Sequence, residues 1–171
     1  MLVVMAGLPG SGKSTIAQAL AGRLSAAVLN KDTVRHALFS GSDVEYSRAQ
    51  DDFVMDLMLQ TAQFFWLRDA ARTVILDGRP FSRASQIERV VRFAEGLQQE
   101  WRILECTCSE ATARHRLEAQ QIAGEHPAGN RSYSLYLEVR ARFEPITRPK
   151  AVLDTDLPLE TCVNLALNAL H

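Results

Sequence analysis

The chain has 171 residues, 47% of them hydrophobic, and 19 Lys and Arg stand against 20 Asp and Glu for a net charge of −1. That length buries one substantial core and is short for two. The balanced charge disfavours nucleic acid and an anionic membrane surface as partners, while leaving space for a local basic site. Three cysteines without repeated spacing fit a reducing, cytoplasmic setting rather than a disulfide framework. Cys106 and Cys108 have no second Cys/His pair at ligand spacing, and His36, His115, His126 and His171 are scattered, so no metal ligand is assigned among them.

The first apolar run, residues 2–6, is far too short to span a bilayer and leads directly into glycines, which makes it a core strand. Gly7-Leu8-Pro9-Gly10-Ser11-Gly12-Lys13-Ser14 then fits G-x-x-x-x-G-K-[ST] without a mismatch, between a predicted strand and a predicted helix. Glycines at this spacing let several backbone N–H groups turn toward one polyphosphate, and the helix starting near Lys13 adds the positive end of its dipole. Lys13 is expected to reach the β and γ phosphates and the Ser14 hydroxyl to ligate Mg²⁺, with Thr15 beside them on the helix. Nucleoside triphosphate and Mg²⁺ are therefore the expected ligands.

A second strand is predicted at 26–29. The Asn30-Lys31-Asp32-Thr33 that follows has its Asp one place too early for the guanine-reading N-K-x-D signature. Asp32 falls just past a strand's carboxyl end, where a carboxylate can orient an acceptor hydroxyl and take its proton. An Asp before an amphipathic stretch also caps helices, and the two roles are compatible. Arg35, one turn later, can grip an anionic group of the acceptor. Residues 48–72 contain no Gly or Pro and carry Phe53, Val54, Leu57, Met58, Thr61, Phe64, Phe65 and Leu67 at helical spacing, predicting one long, largely buried helix with the aromatic run 64–66 in the core.

The strand predicted at 73–76 delivers Asp77 to the edge where Mg²⁺ should lie, either as a holder of metal-bound water or as a turn-forming Asp-Gly. Arg79, Arg83 and Gln86 gather donors beyond it as candidate acceptor ligands. A strand at 101–106 precedes an arginine-bearing helix, and Gly124, His126, Pro127, Gly129 and Asn130 mark a breaker-rich loop. A fifth strand at 150–153 and a helix near Leu159–Leu170 close the chain. Val-, Ile- and Leu-rich runs alternating with helical stretches predict an α/β fold of one domain, with a five-stranded parallel sheet.

On these residues the chain resembles the small P-loop kinases of the nucleotide and metabolite kinase superfamily, and among them the AAA-type or adenylylsulfate-kinase-like ATP-binding proteins. The resemblance covers essentially the whole chain and is specific at 7–15, 31–35, 77–80 and 113–117. It implies the three-layer P-loop NTPase fold with helices on both sheet faces and a small lid at about 113–132, and it favours ATP. The Asp32 and Arg35 spacing is similar to that of polynucleotide 5′-kinases, which implies a general-base role for Asp32. Asp77-Gly78-Arg79-Pro80 with Arg83 and Gln86 is similar to the D-G-F-P-R segment of adenylate kinases, with Arg79 in place of the Phe. That likeness implies a metal role for Asp77 and acceptor roles for Arg83 and Gln86. Lid helices of such kinases carry R-L-x-x-R; here Gln120 stands where the second arginine would be. Arg116 and Arg131 are the expected catalytic arginines, a solvated surface position being the alternative for each. Residues 154–158 occupy the place where related kinases contact adenine.

The expected activity is transfer of the γ-phosphoryl group of Mg-ATP to a hydroxyl of a small molecule. A polynucleotide 5′-hydroxyl kinase and a non-catalytic, nucleotide-dependent switch are the alternatives.

Overall fold

A computed structural model of the chain describes residues 1–123 and 132–170. Five strands, β1 (Leu2–Ala6), β2 (Ala27–Asn30), β3 (Val74–Asp77), β4 (Trp101–Thr107) and β5 (Ala151–Asp154), form one sheet in the order β2-β3-β1-β4-β5. Every pairing is parallel, with Val3 opposite Ile75 on one side and Arg102 on the other. Central β1 and its neighbour β3 are buried along their whole length, which is why they read as unbroken apolar runs instead of alternating ones.

Alternate β1 side chains feed two cores. Leu2, Val4 and Ala6 join Leu76 in packing against α3 (Arg48–Arg68) and α4 (Ala84–Gly96). Val3 and Met5 point the other way, toward α1 (Lys13–Leu24) and α7 (Leu159–Leu170). Each large aliphatic side chain so buried contributes roughly 1.5–3 kcal/mol. The expected α/β sandwich with helices on both faces is thus the observed one. β2, β3 and β5 each begin and end one residue later than predicted, and β4 extends one residue further.

The helix predicted at 48–72 stops at Arg68, and it is not buried all round. Its inward face is Val54, Met55, Met58, Leu59, Ala62 and Trp66, whereas Leu67 is 79% exposed and Phe53 and Phe64 are half exposed. Of the aromatic run, Trp66 is buried in the core and Phe65 packs against it half-buried, while Phe64 is half exposed. The Arg68 guanidinium lies over Phe64 at 4.3 Å and Arg72 over Phe65 at 4.4 Å, so cations cover the outward faces of these rings. Composition alone could not separate that stripe from the neighbouring one, because apolar residues occupy both.

Two short helices complete the described elements: α2 (Lys31–Leu38) follows β2, and α6 (Tyr133–Ala141) precedes β5. α5 (Glu110–Ala123) occupies the first half of the expected lid and packs against the phosphate loop, where Ala113, Leu117 and Tyr136 make a small core of their own with Leu8 and Cys108. Arg131 and the breakers from 124 to 130 lie outside the described residues. No helix among the described residues is long and apolar enough to cross a membrane.

Candidate functional site

Residues 7–12 turn from β1 into α1 by a route only glycine permits at its start. Gly7 has φ 129°, and a Cβ there would fall 2.2 Å from the Cys106 carbonyl oxygen on neighbouring β4. The loop is therefore clamped against the sheet, and its remaining residues, Leu8, Pro9, Gly10 and Ser11, arch over the first turn of α1. The helices α2, α3 and α6 are closed by the side chains of Asn30, Ser47 and Ser132. Gly12 precedes α1 and has no side chain to offer, so the leading N–H groups of this helix keep their capacity for an anion. Lys13 is buried, and its ammonium donates to the carbonyls of Gly7 and Leu8, both at 2.8 Å. It is held over the loop, where the motif requires it.

Asp77 ends β3 and is 1% exposed. One carboxylate oxygen accepts from the Asn30 amide at 2.7 Å, while Oδ1 is buried with no hydrogen-bond partner among the described residues. A buried, unpartnered carboxylate oxygen is costly unless a cation or its water satisfies it. Together with the Ser14 hydroxyl on the first turn of α1, this hard oxygen donor suits Mg²⁺, which is bound through one or two protein oxygens with water and phosphate completing the shell. No cluster of three or more His, Cys, Asp or Glu among the described residues competes as a metal site. Behind the loop, burial pushes the Cys106 thiol up to about 12, with the Lys13 charge opposing and the Asp77 charge adding to the effect. Cys106 is inert packing, and the three cysteines are free.

On one flank of the loop a cavity of about 290 Å³ opens between α1, α5 and the residues after β5. Gly12, Lys13, Ser14 and Thr15 form one wall; Arg116, Gln120, Thr155 and Leu157 form the other. Arg116 is anchored here: it donates to the Thr155 hydroxyl at 2.9 Å, to the Thr155 carbonyl at 2.7 Å and to the Gly10 carbonyl at 3.3 Å. The guanidinium is thus half-buried across the loop, not solvated, and it ties α5 to the segment 154–158. Thr155, which also donates to the Ser11 carbonyl at 3.0 Å, was not singled out by its residue type.

The other flank is built from β2, β3 and α3. Gly7 N–H donates to the Pro80 carbonyl at 3.1 Å, and Gly78, at φ 87°, brings its turn so close to α2 that a Cβ would meet the Lys31 nitrogen at 2.8 Å. Asp32 is 7% exposed and accepts from Arg35 at 3.0 Å, with the Lys31 ammonium at 3.8 Å. Arg35, fully buried, also pairs with Asp51, and Lys31 pairs with the same Asp51 at 2.7 Å. Arg79 is buried too and donates to Asp52 at 2.7 Å. The cap of α2 is Asn30, whose side chain accepts from the backbone of Asp32 and Thr33, so Asp32 is released from the capping alternative.

Arg83 and Gln86 serve α4 in this structure: the Gln86 side chain accepts from Arg83 N–H at 3.3 Å at the helix start. Lys31, Asp51 and Asp52 are the members of this cluster that sequence reasoning missed. The acids of α3 read as ordinary first-turn residues until the fold sets them against α2 and the β3–α4 turn.

With this geometry in view, comparison with known proteins is informative. A model of the AAA-domain family matches residues 2–162. No curated protein matches the sequence significantly. Among solved structures, a candidate kinase from Chloroflexus aurantiacus is similar at 23% identity and TM-score 0.77, over 99% of this chain and 98% of that one. An APS kinase from Mycobacterium tuberculosis, in complex with AMPPNP and APS, is similar at 19% identity and TM-score 0.70, over 99% and 96%. A gluconokinase from Sinorhizobium meliloti is similar at 17% identity and TM-score 0.69, over 98% and 90%. At these identities the likeness establishes the fold.

Proposed function

We propose that this chain, which belongs to the AAA-domain family, is a phosphotransferase that moves the γ-phosphoryl group of ATP to a hydroxyl of a small molecule. The observation that carries the reading is the arrangement around Gly7. Its amide is bonded to the turn after Asp77, and that turn abuts α2 at the residue before Asp32, so a nucleotide cradle and a buried carboxylate share one sheet edge. The three neighbours bearing kinase names agree with it, and the AMPPNP bound to one of them favours an adenine nucleotide.

In this reading the backbone of 7–13 and the start of α1 hold the phosphates. Lys13 exchanges its two carbonyls for β and γ phosphate oxygens, and Arg116 adds positive charge at the loop rim. Ser14 and Asp77 hold Mg²⁺, which when bound neutralises phosphate charge. Asp32 orients the acceptor hydroxyl and accepts its proton as the oxygen bonds to the γ phosphorus and ADP departs. Arg35 and Lys31 fix the orientation of that carboxylate, and Arg79 lines the same acceptor side. Arg83 and Gln86 are reassigned to the helix they start, and a catalytic Arg131 stays a proposal from the sequence alone.

One observation favours a second reading. The Asp32 carboxylate is already engaged by a guanidinium and an ammonium, as suits a structural carboxylate in a nucleotide-dependent switch. Transfer from γ-labelled ATP to a panel of nucleosides, sugars, aminoglycosides and 5′-hydroxyl oligonucleotides separates the two when Asp32→Asn is run beside the unmodified chain. The phosphotransferase reading expects a labelled small molecule, lost by roughly 10²–10⁴-fold in the variant, with ATP affinity kept within a few-fold. A labelled oligonucleotide would make this a polynucleotide kinase. Tight ATP binding without product, indifferent to Asp32→Asn, would establish the switch.

A further inference from the structure

A second cavity, of about 240 Å³, lies on the Gly7–Leu8 side of the phosphate loop, between the end of β4 and α6. It is separate from the 290 Å³ cavity, which touches the loop from Gly10 onward and α1. Its wall is shared with the catalytic end of the loop, because the Gly7 and Leu8 carbonyls that border it are the ones holding the Lys13 ammonium.

Three properties define what fits. Leu8, Cys106, Cys108, Tyr136 and Phe143 make most of the surface apolar, and Tyr136 is fixed there by burial and by stacking on Tyr133 at 5.6 Å. The two charged residues on the wall are both spent: Glu105 pairs with Lys150 at 2.5 Å and Arg140 with Glu110. The Ser11 hydroxyl, 2% exposed, borders the cavity and has no hydrogen-bond partner among the described residues. Burying a hydroxyl without a partner is unfavourable, and a polar atom of an occupant would relieve it.

We propose that this cavity receives the apolar body of an uncharged alcohol, a single ring or a group of that size, with the Ser11 hydroxyl bonded to a polar atom of it. Calling the occupant the acceptor rests on the phosphotransferase reading; the binding itself does not. An anionic acceptor would have to displace Glu110 from Arg140, and a polyol would strand its hydroxyls against Leu8 and Phe143.

Cys108 supplies the reporter, since it is half-buried on the cavity wall while Cys106 and Cys162 are buried. Alkylation of Cys108 by iodoacetamide is followed by mass spectrometry with benzyl alcohol, erythritol or 4-(hydroxymethyl)benzoate present, and MgATP affinity is measured in parallel as a check on the fold. The expected result is at least tenfold protection by benzyl alcohol, little by the other two, and loss of that protection in Phe143→Trp, which fills the space, with MgATP affinity unchanged. Phe143→Ala, which enlarges it, should extend protection to 2-naphthylmethanol. Equal protection by all three probes, or by none, overturns the proposal.

Transfer from labelled ATP to the protecting alcohols then decides the occupant's role. A labelled aromatic alcohol supports an acceptor site, and protection without transfer to any of them overturns that role. Labelled erythritol with Cys108 unprotected would sustain the phosphotransferase reading and overturn this one.

Discussion

The two flanks of the phosphate loop solve the problem of holding charge in opposite ways. On the β1–β4–β5 side the two cations that lie against the loop rest on carbonyl and hydroxyl oxygens: Lys13 on Gly7 and Leu8, Arg116 on Thr155 and Gly10. On the β2–β3 side Lys31, Arg35 and Arg79 are matched by the carboxylates of Asp32, Asp51 and Asp52. Neutral partners surrender a cation cheaply to an arriving phosphate, whereas a buried carboxylate does not. The first side is therefore built for exchange and the second for fixed geometry.

The sharpest way to break this contrast is to remove the centre of the fixed side. Arg35→Ala leaves Asp32 and Asp51 facing each other with only Lys31 between them, and should cost roughly 3–5 kcal/mol in urea denaturation. A loss under about 1 kcal/mol would show that the cluster is not structural. Next comes the exchangeable side: Lys13→Ala should lower phosphoryl transfer by roughly 10²–10³-fold, the effect of deleting one preorganised donor at developing charge. If its denaturation midpoint fell as far as that of Arg35→Ala, the distinction between the flanks would be wrong.

A smaller effect tests their junction. Asn30→Ala removes the cap of α2 and the one hydrogen bond to Asp77, and should cost about 1 kcal/mol while raising the Mg²⁺ concentration needed for nucleotide binding. Unchanged Mg²⁺ dependence would argue that Asp77 does not serve the metal. The smallest is a pH effect. Burial opposes ionisation of Asp52, but the Arg79 hydrogen bond and the charges of Arg79, Arg89 and Arg48 outweigh it and hold the carboxyl below its ordinary 3.8. A depressed folded-state value stabilises the fold above about pH 4 and is lost as pH falls through that value. Asp52→Asn should therefore lower stability at neutral pH and flatten the acid limb, the two profiles converging as pH falls below the folded-state value.

The same contrast explains how much could be read in advance. The loop was legible because phosphate is recognised by backbone, and backbone needs leave glycines at fixed spacing; Gly7, Gly12, Lys13 and Ser14 all stand where the motif put them. The place of Asp77 was legible because the apolar run before it marks a buried strand that ends at this carboxylate. The ion cluster was not, since its parts come from 31–35, 51–52 and 79, and nothing local distinguishes Asp51 from a helix-start acid. For Arg83 and Gln86, expected as acceptor ligands, the structure shows a local bond from the Arg83 backbone to the Gln86 side chain at the start of α4. The fold was readable in its five strands and misread in α3, where Phe64 and Leu67 carried as much apolar signal as the residues facing the sheet.

The single bond from Gly7 N–H to the Pro80 carbonyl makes the two flanks reciprocal. Any occupant that pulls the 78–80 turn toward itself loads the first residue of the phosphate loop, and by thermodynamic linkage whatever factor one ligand gains from the other is returned in full. If occupancy of one flank strengthens binding at the other, the gain is the same whichever ligand arrives first, and one backbone hydrogen bond is enough to carry it.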